Sequence, residues 1–243
     1  MRAPSAAWHD VEYASYAADL ALWRELAASA GGPVLDLGCG TGRVALELAR
    51  DGRDVTGLDV DAYLVAELTR RARDDGLRVQ AIAGDARSFE LGRRFGLVLA
   101  AMQVVQLLGG REGRAAALAR VAAHLIPGGT FAAALADPFE SVPPEDALPP
   151  LPDVTEVDGW VLSSRPLSVR DEPGGVAVDR LRQVVSPQGE LSEEMHTVVL
   201  ESVSADELEA EGAQAGLRPA GRRQVPATAD YVGSTVVLLE AAA

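Results

Sequence analysis

A chain of 243 residues, 48% of them apolar, fits one generous domain carrying an elaboration and excludes two full domains. No apolar run reaches membrane-spanning length, the first sixteen residues lack the apolar stretch of a signal peptide, and one cysteine with three scattered histidines excludes a disulfide framework or a metal cluster, so we expect a cytoplasmic protein with no metal site and no membrane partner. All 22 basic residues are arginine against 36 acids, and a net charge of −14 would repel a polyanion, so no nucleic-acid partner is expected; "RRAR" at 70 to 73 and the arginine pairs at 93 to 94 and 222 to 223 read as solvated faces.

In chain order, Tyr13, Tyr16, Leu20, Trp23 and Leu26 recur at three-to-four spacing and predict one amphipathic helix over 11 to 27, ended by "AGGP". "VLDLG" predicts a buried strand, "CGTG" a turn, and "RVALELARDG" a helix closed by Gly52. "DVTGLDV" is a second strand, and Asp61 is placed to cap the helix "AYLVAELTRRARDDG". A third strand ends in "GDA", and "FGLVLAAM" is a fourth. "EGRAAALARVAAHL" is helical and stopped by "IPGG", and "TFAAALAD" is the fifth strand.

After Asp137 the pattern changes. Six prolines among residues 138 to 152 predict a surface loop, followed by three extended runs near 160 to 170, 175 to 185 and 191 to 201, separated by turn sequences. Ser204 and Glu207 form a capping box that opens a helix ended by Gly216, and two last strands follow. The fold class is therefore α/β: a Rossmann-like, mostly parallel sheet of seven strands with helices on both faces, an N-terminal helical lid and a small antiparallel β insertion after the fifth strand. The expected divisions are residues 1–137, 138–203 and 204–243.

A strand, a glycine turn and a helix place free amides and a positive dipole end at the carboxyl edge of the sheet, where open α/β folds bind ligands. Dinucleotide binders use G-x-G-x-x-G, but Gly38, Gly40 and Gly42 alternate here, and Arg43 stands where that pattern needs its last glycine. Asp36 would oppose a pyrophosphate and suits a ligand bearing an ammonium and a sulfonium. Asp59 ends the second strand, placed to accept both hydroxyls of a ribose, and Asp85 follows the third, where it can accept from an adenine amino group beside the Ala86 amide. Together these fit S-adenosylmethionine better than NAD.

"VLDLGCGTGR", "GLDV", "GDA" and "LIPGG" together resemble the motifs of the class I S-adenosylmethionine-dependent methyltransferases, over residues 13 to 137 and the terminal helix with its strand pair. The resemblance implies that S-adenosylmethionine is held by Asp36, Gly38, Cys39, Gly40, Asp59, Gly84 and Asp85. It also implies that Val60, Leu64 and Ala86 flank the adenine and that Ala100 and Ala101 approach the methionine portion. Tyr13 and Tyr16 lie on the helix that commonly covers the cofactor in this family, with core packing as the alternative. Gly96 replaces the acid often found early in the fourth strand. "AAMQVVQ" lacks the Asn/Asp-Pro-Pro-aromatic tetrapeptide of enzymes acting on base or glutamine amines, which argues against those substrates.

Methyl transfer is an in-line displacement at an activated carbon, so it needs alignment, exclusion of water and a base only where the acceptor must lose a proton early. Candidate bases are His196, Glu194, Asp137 and His9. His196 shares a strand face with Glu194, Val198 and Leu200, though a half-exposed sheet residue is the other reading. His124 reads as a helix C-terminal or solvated residue. Gln103 and Gln106, past the fourth strand, are placed by topology to touch an acceptor or simply to face water. The β insertion resembles the substrate roof of small-molecule members, which sometimes serves as a dimer surface. The expected activity is methyl transfer to an oxygen or nitrogen of a small molecule in secondary metabolism. The alternatives are a protein of the same fold that binds the cofactor without methylating, as a cyclase, other lyase or regulator, and more distantly an NAD-dependent dehydrogenase.

Overall fold

The computed structural model describes residues 5–136, 151–228 and 231–242. Seven strands form one sheet in the order β10-β11-β5-β4-β1-β2-β3. β1 (Val34–Leu37) lies between β2 (Val55–Asp59) and β4 (Phe95–Ala100), parallel to both, while β3 (Val79–Ala83) pairs with β2 and β5 (Leu125–Ala136) with β4 in the same sense. β11 (Ser234–Ala241) runs antiparallel to β5 and to β10 (Leu217–Val225). The strand order reverses between β1 and β4, so both strands open their carboxyl ends toward the crevice where ligands bind in such sheets.

Alternation along the strands decides which helix each residue meets. Val34, Leu97, Leu99, Ala132 and Ala134 pack on Trp23 and Ala27 of α2 (Leu20–Ser29), Val44 and Leu48 of α3 (Arg43–Arg50) and Leu68 of α4 (Ala62–Asp74). Leu35, Val98, Ala100, Phe131 and Ala133 face the other way, onto Leu118 and Val121 of α5 (Gly110–His124) and Leu208 of α6 (Ala205–Gln214). The Ser204–Glu207 capping box is present, and Asp61 caps α4 by accepting from the Tyr63 amide.

Three expectations need correction. The helix predicted over 11–27 is two, α1 (Ser5–Tyr13) and α2: Arg43 takes the Tyr16 carbonyl, and Asp19, whose carboxylate the same guanidinium grips, stands as the N-cap of α2 with its carbonyl accepting from the Leu22 and Trp23 amides. "IPGG" does not precede β5 but lies inside it: Leu125 already pairs with Phe95, and the register shifts before Leu97 absorb the extra residues as a bulge. The antiparallel insertion has four strands, since β6 (Asp153–Val157) joins β7 (Trp160–Glu172), β8 (Gly175–Val185) and β9 (Leu191–Glu201). The proline-rich stretch up to residue 150, with Asp137, lies outside the described residues.

Gly96 has a local reason: a Cβ there would come 2.7 Å from the Gly32 amide nitrogen, so no acid could stand at that point without moving the turn before β1. Of the arginines flagged in the sequence, Arg70 and Arg71 bind Glu67, Asp74 and Asp10, Arg93 binds Asp54, and Arg222 and Arg223 bind Glu209, Asp206 and Glu25. No helix among the described residues is long and apolar enough to cross a membrane.

α1 joins the two sheets. Trp8 and Val11 bury against Leu162 and Val184 of the four-stranded sheet, and Glu12, 3% exposed, receives both Arg182 Nε and Nη2 at 2.8 Å and the Ser164 hydroxyl at 2.7 Å. On its other side Asp10 binds Arg71 of α4 and accepts from the Thr41 hydroxyl at 2.7 Å.

Candidate active site

β1 ends in a loop that must run close to its neighbours. Gly38 (φ 66°) has Val104 so near that a Cβ would lie 2.5 Å from its Cγ2, and Gly40 (φ 54°) lies under the His9 ring, whose Nε2 would be 2.2 Å from a Cβ. Both positions combine left-handed backbone with contact, so a side chain is excluded twice over. Asp59, at the end of β2, fixes the loop from below: Oδ2 accepts from the Gly40 amide and Oδ1 from the Asp61 amide, each at 2.9 Å.

The loop borders a cavity of about 390 Å³. At one end stand Asp36, Arg43, His9 and Tyr13; in the middle Gly38, Cys39 and Asp59; at the other Gly84, Asp85 and Ala86, with Val60 and Leu107 as apolar walls. Burial pushes the Asp36 carboxyl up to about 7 even though Arg43 draws it down. Asp85 sits low, chiefly through the Arg87 side chain, which holds it with Nε at 2.9 Å and Nη2 at 2.6 Å. Arg43 forks onto Asp19 at 2.6 and 2.8 Å, both side chains being buried. The cations on the cavity wall are thus already paired, whereas Asp36 and Asp59 meet it without an ion-pair partner among the described residues.

His9 was one candidate base among several in the sequence, and the fold brings its imidazole to the glycine loop. The single Thr41 hydroxyl proton goes to Asp10, so Thr41 Oγ1 accepts from His9 Nδ1 at 3.3 Å, which leaves Nε2 as the acceptor. Burial holds the His9 pKa below its ordinary value, against the pull of Asp10 and Asp59.

Of the residues expected at the cofactor, Tyr13, Asp36, Gly38, Cys39, Asp59, Val60, Gly84, Asp85, Ala86 and Ala101 line this cavity, and so does Gln103. Gly40 lies beneath His9, Ala100 is fully buried in β4, and Leu64 packs inward from α4; none of these three lines it. Tyr16 is turned to an adjoining small pocket, where its ring meets Tyr231 at 4.8 Å and the Arg43 guanidinium at 5.0 Å.

His196 is not brought to the cavity. It lies opposite Arg180 on the face of β8 and β9 that also carries Arg182, and that face turns onto Glu12 of α1 rather than toward the glycine loop. Gln106 does not face an acceptor: it is buried, with its amide accepting from the Ala136 amide at 3.0 Å and donating to the carbonyls of Ala136 and Glu201. His124 is 2% exposed, not solvated; Nε2 accepts from the Leu91 amide and Nδ1 donates to the Arg120 carbonyl.

The sequence reading missed Arg43, Arg87, Met102 and Leu107 on the cavity wall. Arg43 and Arg87 carried a usable signal, since each directly follows a segment already assigned to the ligand. Met102 (φ 55°) and Leu107 carried none, because their placement follows from the turn after β4.

Residues 34–129 match the family model described as a methyltransferase domain. The chain is 37% identical over 118 residues to the dTDP-3-amino-3,6-dideoxy-alpha-D-glucopyranose N,N-dimethyltransferase of Streptomyces fradiae, covering 49% of this chain and 45% of that protein. It is 32% identical over 118 residues to the dTDP-3-amino-3,4,6-trideoxy-alpha-D-glucopyranose N,N-dimethyltransferase of Streptomyces venezuelae, covering 49% and 48%. These matches span about half the length of either relative. The whole fold superposes on the crystal structure of Streptomyces venezuelae DesVI with a TM-score of 0.71 and 23% identity, covering 100% of both chains.

Proposed function

We propose that the chain is a class I S-adenosylmethionine-dependent methyltransferase, transferring a methyl group from S-adenosylmethionine to a small molecule, at the amine nitrogen of an amino sugar carried on a nucleotide. The observation that carries the cofactor assignment is the set of three carboxylates, Asp36, Asp59 and Asp85, at or just past the ends of β1, β2 and β3 along one cavity. The donor set fits the ligand. Asp36 suits an ammonium, Asp59 keeps lone pairs for ribose hydroxyls beyond the two amides it accepts, Asp85 with the Ala86 amide suits an adenine edge, and Val60 and Leu107 offer apolar faces to a purine.

The cofactor supplies a methyl group made electrophilic by a sulfonium. The protein holds it in line with the nucleophile and keeps water away. His9 and Tyr13 cover the glycine loop, their rings 5.1 Å apart, and Gln103 is the amide nearest by topology to an acceptor. Where the nucleophile sheds a proton, His9 Nε2 is the acceptor we assign to it, in place of His196. The amino-sugar assignment rests on the two curated relatives and on the absence of the base-amine tetrapeptide. The paired arginines and the net charge of −14 support a partner that is not nucleic acid. Residues 138–203 are proposed as the substrate roof, with a second copy of the chain on its outer face.

The test is to incubate the chain with S-adenosylmethionine and a panel of nucleotide-linked amino sugars, simple amines and alcohols, and to read S-adenosylhomocysteine and product mass. N-methylated and N,N-dimethylated amino sugars are expected. A chain that binds no S-adenosylhomocysteine by calorimetry refutes the cofactor assignment, and one that binds it while the substrate changes without gaining a methyl is a cyclase or lyase instead.

A further inference from the structure

β5 outruns its neighbour. β4 pairs with it only as far as Ala133, opposite Ala100, so the β4 side of its last residue, Ala136, meets no strand among the described residues, while β11 pairs on the other side. A side chain takes that open edge. Gln106 Oε1 accepts from the Ala136 amide and Nε2 donates to the Ala136 carbonyl, both at 3.0 Å, as the facing residue of an antiparallel strand would. The same Nε2 also donates to the Glu201 carbonyl at 3.2 Å. Ala136 ends β5, where the chain leaves the seven-stranded sheet, and Glu201 ends β9, where it returns from the four-stranded one. One buried amide thus pins both crossings of the insertion, and it needs two donors beside an acceptor, a set that only the shorter Asn shares.

Gln106 belongs to a single turn of 3-10 helix, Val104–Leu107, whose flanking residues face the cavity of the glycine loop. Val104 and Leu107 line that cavity, as does Gln103, whose carbonyl accepts from the Gln106 amide at 2.9 Å. Val104 also lies against Gly38, where a Cβ would come 2.5 Å from its Cγ2. The Glu201 side chain repeats the link at the start of α5: Oε1 accepts from the Gly110 amide and Oε2 from Arg114 Nη1 at 2.7 Å. The four-stranded sheet in turn holds α1 through Trp8, Val11 and Glu12, and α1 carries His9 and Tyr13 back over the glycine loop. The cavity is therefore ringed by contacts, and at Gln106 the ring passes from cavity wall to insertion.

We propose that Gln106 is a positioning residue through which occupancy of the cavity fixes the four-stranded sheet and α1 over it. A ligand that packs the turn Val104–Leu107 against the glycine loop also holds both crossings of the insertion, because the turn and the crossings share one buried amide. This rests on the methyltransferase reading and adds to it the residue that ties cofactor binding to the pose of the substrate roof.

The experiment is amide hydrogen exchange on the full chain, with and without saturating S-adenosylhomocysteine. In the wild type the ligand should slow the amides of β7, β8 and β9 by roughly fivefold or more, the size of an ordinary coupling between two sites. Gln106→Met, similar in length and without donors, should cut that slowing to below about twofold while the amides of β1 and β4 stay slowed. A side chain that merely stabilised the fold would quicken exchange equally with and without ligand and leave the difference intact. Because Gln106→Met strands the Ala136 amide and two carbonyls, Gln106→Asn is measured alongside: it keeps the amide, falls one methylene short of both crossings, and should show the same loss. Wild-type β7, β8 and β9 that do not respond to the ligand overturn the proposal. So does a slowing that survives in either variant, which assigns the coupling to α1 instead. Wild-type protein that binds no S-adenosylhomocysteine overturns the methyltransferase reading, and this proposal with it.

Discussion

Asp36 is buried to 2% exposure, and its folded pKa of about 7 stands well above that of the unfolded chain. The folded state then holds a proton that the unfolded state has released, so the stability Asp36 contributes is full below about pH 4 and is lost as pH rises through about 7. Each unit of difference corresponds to about 1.4 kcal/mol. The urea midpoint should therefore fall between about pH 4 and pH 7, and Asp36→Asn should flatten that fall; an unchanged slope in the variant would assign the pH dependence to other groups. S-adenosylhomocysteine affinity should move the opposite way, rising with pH as the carboxylate ionises to meet an ammonium. The alternate glycines and the three acids were legible in the sequence because their roles depend on strand ends and tight turns, both local. The pairing of Arg43 with Asp19 and the placement of the His9 imidazole were not legible, because each depends on a residue 24 or 32 positions away, Asp19 and Thr41.

At the scale of elements, α1 decides whether the cavity is covered. Burial alone would raise the Glu12 pKa, but the hydrogen bonds from Arg182 and Ser164 outweigh it and hold the carboxyl below its ordinary value. Removing one partner of such a pair leaves the other charge stranded, so Glu12→Ala should cost about 3–5 kcal/mol in urea denaturation. Amide exchange should quicken in α1, and S-adenosylhomocysteine should bind more weakly as His9 and Tyr13 lose their support. A variant with wild-type stability and exchange would show that α1 is held by Trp8 and Val11 instead. The periodicity over 11–27 was real, since Trp23 is fully buried in α2, but periodicity does not reveal an interruption at which an arginine on another helix takes a carbonyl. The added strand β6 escaped because it starts directly after Pro152, at the end of the proline-rich stretch, and the early start of β5 because Pro127, Gly128 and Gly129 mark a break that its pairing with β4 tolerates.

At the scale of the molecule, the four-stranded sheet turns one face onto α1 and the other to solvent. Leu191, Met195 and Val199 alternate along its edge strand at 58%, 59% and 48% exposure. A second copy meeting this face about a two-fold axis would bury them symmetrically, so light scattering should give twice the chain mass. Met195→Glu should shift that mass to the monomer with ligand affinity unchanged; a wild-type monomer would remove the homodimer. The sequence by itself determined the alternation of strands and helices from β1 to β5, the glycine loop and the acids at successive strand ends, because short-range sterics and the two hydrophobic periods write those directly into neighbouring residues. Only the tertiary structure decided that His9 and not His196 lies over the loop, that Gln106 is a tether, and that Glu12 on the first helix clamps Arg182, 170 residues on. Those outcomes depend on which surfaces compete for the same buried hydrogen bonds once the chain has closed, and no local pattern carries that competition.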